Sequence, residues 1–181
     1  MTQTPSRSLL WLEEFADHPG GHLPEEVWNF DIGDGSAVGL TGWGNHELEY
    51  YTKDSVTIDG NLVIKAQRLS EQTDLQCYYG PAQWSSGKIH TARKVGFTYG
   101  HLEITAKMPT GVGTWPAIWM LGKNIIEAGG YWTDTYGTTS WPACGEIDIM
   151  EHWGRNQNYI SSAMHTPSSH GGTINHGGQT I

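Results

Sequence analysis

Short apolar or alternating runs, each cut off by Gly, Asp, Asn or Pro, recur along the whole chain: SVTIDGNLVIKAQ, GKIHTARKVGFTYGHLEITAKM, WPAIWML, GEIDIMEHW and YISSAMH. Runs this short with a period of two fit strands, and a chain built from them is expected to fold all-β. No helical period persists; the best candidate, Lys123 to Ala128, stops at Gly129-Gly130. SVTIDGNLVIKA predicts a hairpin turning at Asp59-Gly60. HLEITAKM predicts a strand with Leu102, Ile104 and Ala106 on one face and Glu103, Thr105 and Lys107 on the other. The segment GGYWTDTYGTTSWP, from Gly129 to Pro142, reads as a long aromatic loop. With no linker-like boundary or internal repeat, the 181 residues are expected to form a single domain, 1–181.

A formal net charge of −9, with no basic run, argues against nucleic acid or an anionic membrane surface as partner. No segment approaches the length of a transmembrane helix. The 9 Trp and 24 Gly, set against 16% charged residues, favour strands, turns and aromatic platforms of the kind sugar rings stack on. Cys77 and Cys144 can make one disulfide or none, and they lack metal-ligand spacing. Pairing would suit an oxidising compartment. The opening MTQTPSRSLLWLEEF has no signal-peptide pattern.

The most informative stretch is GEIDIMEHW, residues 145 to 153, with Glu146, Asp148 and Glu151. Strict alternation sends Glu146 and Asp148 to one face and Glu151 to the other. Ile147, Ile149 and Met150 give the strand a central character, and charges on a central strand need a reason. One extra residue near Met150, forming a β-bulge, would shift the phase and bring all three acids to one side. Two carboxyl groups about 5 to 5.5 Å apart suit a retaining glycosidase, one as nucleophile and the other as proton donor. Asp148 between them would orient the first and help keep the proton on the second. Spacing does not decide which outer acid attacks.

EIDIME at 146 to 151, with WPAIWML at 115 to 121 upstream, resembles the laminarinase branch of glycoside hydrolase family 16. The likeness extends to Trp11 to Phe15, GNHELEYY at 44 to 51, Gly60-Asn61-Leu62, and Phe97 to Gly100 with Glu103. It implies a β-jelly-roll sandwich of two antiparallel sheets with a concave substrate cleft. It implies Glu146 as nucleophile, Asp148 as the assisting residue and Glu151 as acid/base. The expected substrate is a laminarin-like or mixed-linkage β-glucan, and the expected location is secreted.

Among candidate substrate contacts, Trp115 and Trp119 lie four apart, so an alternating strand sends both one way, toward the cleft if the acids face it. Trp141 just precedes that strand. The resemblance implies sugar contacts for Asn45 and for His165, and Arg93 is a further candidate, with Glu103 a weaker one. It implies a structural calcium ion, with Glu14 and the Gly60 carbonyl as ligands, while catalysis itself needs no cofactor. His170 and His176 match no standard metal spacing. The chain ends in HTPSSHGGTINHGGQTI, about two-thirds through the family domain, so its C-terminal strands are expected from a further segment or a second polypeptide. Agarose, carrageenan or xyloglucan as substrate, or a noncatalytic β-glucan-binding module on the same scaffold, are the alternatives.

Overall fold

The structure, a computed structural model, describes residues 8–18, 20–125, 135, 137–169 and 173–180, with backbone alone at 17, 169 and 173–180. His170, half of the expected aromatic loop from Gly129 and the second half of the expected helix at Lys123 to Ala128 lie outside the described residues. The chain groups into two compact units, residues 1–95 and 96–181.

The first unit is built from short strands joined by tight turns: β1 (Asn29–Asp31), β2 (Glu49–Tyr51), β3 (Val56–Ile58), β4 (Leu62–Ile64), β5 (Gln67–Arg68), β6 (Gln76–Cys77), β7 (Gly80–Pro81), β8 (Trp84–Ser86) and β9 (Lys88–His90). The hairpin expected at Asp59-Gly60 forms as β3 and β4, with Ile58 opposite Leu62. Its loop is Asp59-Gly60-Asn61, and Gly60 takes a φ of 63°, which glycine adopts without a Cβ clash. β1 pairs antiparallel with β9, and β5 antiparallel with β8. One pair departs from the antiparallel expectation, because β2 runs parallel to β8. The long connection between them allows this, since a parallel pair needs a crossover rather than a tight turn.

Asp34 knots this unit together. Its buried carboxylate accepts from Ser36 N and Ser36 Oγ, each at 3.0 Å, and from Tyr78 N at 2.6 Å. Burial pushes its pKa up, but these donors outweigh burial and hold it below the ordinary carboxylate range. Leu23, Tyr51, Val56, Cys77 and Ala82 are buried around it or nearby in the unit. Cys77 keeps a free thiol, so no disulfide joins it to Cys144.

The second unit carries a four-stranded antiparallel sheet of β10 (Ala117–Leu121), β11 (Glu146–His152), β12 (Tyr159–His165) and β13 (Thr173–Thr180), in that spatial order. WPAIWML, GEIDIMEHW and YISSAMH therefore become the strands their alternation predicts. HLEITAKM does not. Residues 101–110 make no ladder among the described residues, and Ile104 is 49% exposed. An alternating pattern makes a strand possible, but only a partner edge supplies the hydrogen bonds that make one.

Candidate active site

β11 lies between β10 and β12, so its backbone is paired on both sides and its acids project from the interior of a sheet. The two registers locate the bulge. Against β12, Asp148 opposes Ala163 and Glu151 opposes Ser161, so Ile149 and Met150 together face the single residue Ser162. Ser162 Oγ donates to the Ile149 carbonyl at 2.9 Å, within that irregularity. Against β10, Met150 opposes Ile118 and Asp148 opposes Trp119, which leaves Ile149 as the extra residue. The bulge expected near Met150 is therefore present, one position earlier on this side.

Its consequence follows from pairing alone, because directly opposed residues share a face. Glu146, Asp148 and Glu151 oppose His165, Ala163 and Ser161, every second residue of β12. They also oppose Leu121, Trp119 and Ala117, every second residue of β10. Both neighbours place all three acids on one face. A regular strand would have sent Glu151 to the other.

Each acid has its own partner. Trp141 Nε1 donates to Glu146 Oε2 at 2.8 Å, and Trp115 Nε1 donates to Glu151 Oε1 at 3.0 Å. His165 Nε2 lies 2.8 Å from Asp148 Oδ2 and 3.6 Å from Glu146 Oε1. Asp148 is the most deeply buried of the three, at 5% exposure. Burial, followed by the negative charge of Asp148, pushes the Glu146 carboxyl above its ordinary range, against the pull of His165 and Trp141. Burial also pushes Glu151 up, with Asp148 adding to it and the Trp115 hydrogen bond opposing it. The arrangement stores protons more readily than isolated carboxylates would, which is what acid/base work near neutral pH requires.

The other sequence-derived candidates separate by unit. Trp115, Trp119, Trp141 and His165 join the acids, and their indoles stay 36%, 39% and 48% exposed in chain order, leaving apolar rings open to a ligand. Asn45 and Arg93 belong to the first unit. Asn45 is exposed and its Nδ2 donates to Glu47 Oε1 at 3.2 Å, while Arg93 is exposed with a φ of 65°. Glu103 is exposed and sits 3.0 Å from His101 Nε2.

Glu14 and Gly60, the expected calcium ligands, are exposed residues of the first unit. Two oxygens fall short of the six to eight that calcium takes, so these residues alone do not complete a calcium site. Among the described residues, the cluster of three ligand-bearing side chains able to hold a metal is Glu146, Asp148 and His165, with ligand atoms within 4.8 Å of one another. Those atoms are already engaged with each other as described.

Residues 30–151 match the model of the family described as beta-glucan synthesis-associated protein SKN1/KRE6/Sbg1. A beta-glucanase of Rhodothermus marinus is 38% identical over 168 residues, covering 91% of this chain and 50% of the relative. A glucan endo-1,3-beta-glucosidase A1 of Niallia circulans is 40% identical over 179 residues, covering 95% of this chain and 22% of the relative. The solved laminarinase catalytic domain of Thermotoga maritima superposes with a TM-score of 0.75 at 38% identity, covering 96% of this chain and 62% of that one. The chain belongs to this family and, with the laminarinases, to glycoside hydrolase family 16.

Its all-β strands are thus those of the family 16 jelly roll, and it spans half or less of the length of the two curated relatives. Beside the acids, one residue escaped the sequence reading. Trp153 lies two positions past Glu151, and its ring stacks on Trp115 at 4.4 Å between centroids and 15° between planes. The same alternation that placed Trp115 would have found it. Such a stack is worth about 1 kcal/mol beyond area burial.

The next residue, Gly154, is confined. A Cβ there would meet the Gly111 carbonyl oxygen at 1.9 Å and Thr114 Oγ1 at 2.2 Å. Gly154→Ala is expected to cost about 3 kcal/mol of stability, because the obstructing carbonyl is backbone and cannot swing aside. Urea unfolding of the two proteins measures it, and an unchanged midpoint would refute the contact.

Proposed function

We propose that this chain carries the catalytic face of a retaining endo-glycosidase that cleaves β-1,3-linked or mixed-linkage β-glucan. The observation that carries the reading is the bulge at Ile149-Met150, which gathers Glu146, Asp148 and Glu151 on one face. Indoles on the same face, at Trp115, Trp119 and Trp141, offer the flat apolar area on which a pyranose ring stacks.

In the first step Glu146 attacks the anomeric carbon, and the bond to the leaving oxygen breaks as Glu151 gives that oxygen its proton. The glycosyl-enzyme ester then meets water; Glu151, now a carboxylate, takes the water proton, and Glu146 is released. Two inversions leave net retention. Asp148, between them, raises the proton affinity of both neighbours, and His165 bridges Asp148 and Glu146. The chemistry needs two carboxyls and water, with no cofactor. Polymeric glucan lies outside cells, which favours a secreted enzyme, and a further segment or second polypeptide is proposed to complete the domain.

Proton NMR of laminari-oligosaccharide hydrolysis tests the mechanism. The β-anomer of the new reducing end is expected first, with the α-anomer growing in only by mutarotation. An α-anomer formed first would mean inversion and would reject the assignment of Glu146 as nucleophile. The matched family is described by β-glucan synthesis, which favours a second fate for the same ester, attack by a glucan hydroxyl in place of water. Products longer than the starting oligosaccharide would reveal it.

A further inference from the structure

We propose that Trp153 is a positioning residue for Glu151 and acts through Trp115. The inference rests on the reading of Glu151 as the acid/base.

Trp115 holds Glu151 through a single hydrogen bond, from Nε1 to Oε1 at 3.0 Å. Its indole is 36% exposed, so the surrounding protein does not enclose it. The backbone beneath it is also less tied than a regular strand. Past the Ala117 and Glu151 pair, the ladder continues with His152 N donating to the Pro116 carbonyl at 3.1 Å and Gly154 N donating to the Thr114 carbonyl at 2.9 Å. Proline has no N–H, so the return bond from residue 116 to residue 152 is missing. What fixes the ring must then come from side chains.

The same ladder supplies it. Extending the register by two from Ala117 and Glu151 sets Trp115 directly opposite Trp153, in a pair without hydrogen bonds between its own backbones. Side chains approach closest in such pairs. The result is the parallel stack at 4.4 Å. The Arg155 guanidinium lies 5.6 Å from the Trp153 ring centre, adding a cation contact to the outer member. Glu151, Trp115, Trp153 and Arg155 therefore form a chain of contacts, through which Trp153 reaches the proton donor by way of the Trp115 ring.

Kinetics of Trp153→Ala, Trp153→Phe, Trp115→Phe and the double variant Trp115→Phe/Trp153→Ala test this. Trp153→Ala is expected to lower kcat about tenfold through lost aim of the acid, with KM changed less than about twofold. Trp153→Phe, which keeps a ring to stack, is expected to restore most of the rate. The double variant is expected to be no worse than the poorer single one, since both act on one contact. The alkaline limb of the pH profile should move upward in Trp153→Ala, because the Trp115 N–H favours the ionised form of Glu151 and loses its hold.

A rise in KM with kcat unchanged would make Trp153 a sugar platform and overturn the proposal. So would additive losses in the double variant, or no effect of Trp153→Ala. If the wild type shows no Glu146-dependent hydrolysis, the functional reading fails separately. Titration of Glu151 by carboxyl NMR then decides the positioning alone: an upward shift in Trp153→Ala supports it, and an unmoved titration overturns it.

Discussion

Glu146→Gln is expected to lower kcat/KM on laminarin by on the order of 10⁴-fold or more, because an amide cannot form the glycosyl ester. Adding azide to Glu146→Ala should restore turnover and release an α-glycosyl azide, since the truncated side chain leaves room for a small anion where the carboxylate stood. Glu151→Gln with azide should give the β-azide instead, the nucleophile being intact and only proton transfer lost. Interchanged products would exchange the two roles. The fold of Glu146→Gln has an independent readout. Burial and Asp148 raise the Glu146 carboxyl above its unfolded value, so its contribution to stability is present at low pH and is lost as pH rises through the raised pKa. Neutral glutamine carries no such loss. The variant should therefore unfold at a higher temperature than wild type at pH 7, and the gap should narrow on acidification.

Asp148→Asn is expected to lower kcat by about 10²-fold through misorientation of Glu146, and to move the whole bell-shaped pH profile toward acid. The sign comes from its charge acting on both neighbours in the same direction. Asp148 raises Glu146, which must be ionised to attack, so removing the charge lets Glu146 ionise at lower pH and shifts the acid limb down. It also raises Glu151, which must hold its proton, so Glu151 then loses it earlier and the alkaline limb shifts down too. Both limbs of kcat/KM against pH must move together. Movement of one limb only would show that Asp148 serves a single partner, and movement of the two apart would refute the common sign.

These predictions depend on a face that local pattern could only partly reveal. The strands at 117–121, 146–152 and 159–165 and the turn at Gly60 were legible because alternation and turn chemistry are properties of neighbouring residues. The three acids announced a bulge because regular alternation would have set Glu151 against the other two. Tertiary pairing chose its position, since Ile149-Met150 is defined only by where β10 and β12 lie opposite. It also chose the hydrogen-bond partners: Trp115 reaches Glu151 across 36 residues of sequence, and His165 reaches Asp148 across 17. HLEITAKM shows the converse, an alternating pattern without a ladder among the described residues.

By itself, then, the sequence determined that the chain would be all-β and set Glu146, Asp148 and Glu151 within six residues of one strand. Which donor serves which acid, and the stacking of Trp153 on Trp115, were decided by register. A side chain's face depends on its immediate neighbours, whereas its partner depends on how another strand slides past before hydrogen bonds lock it in place.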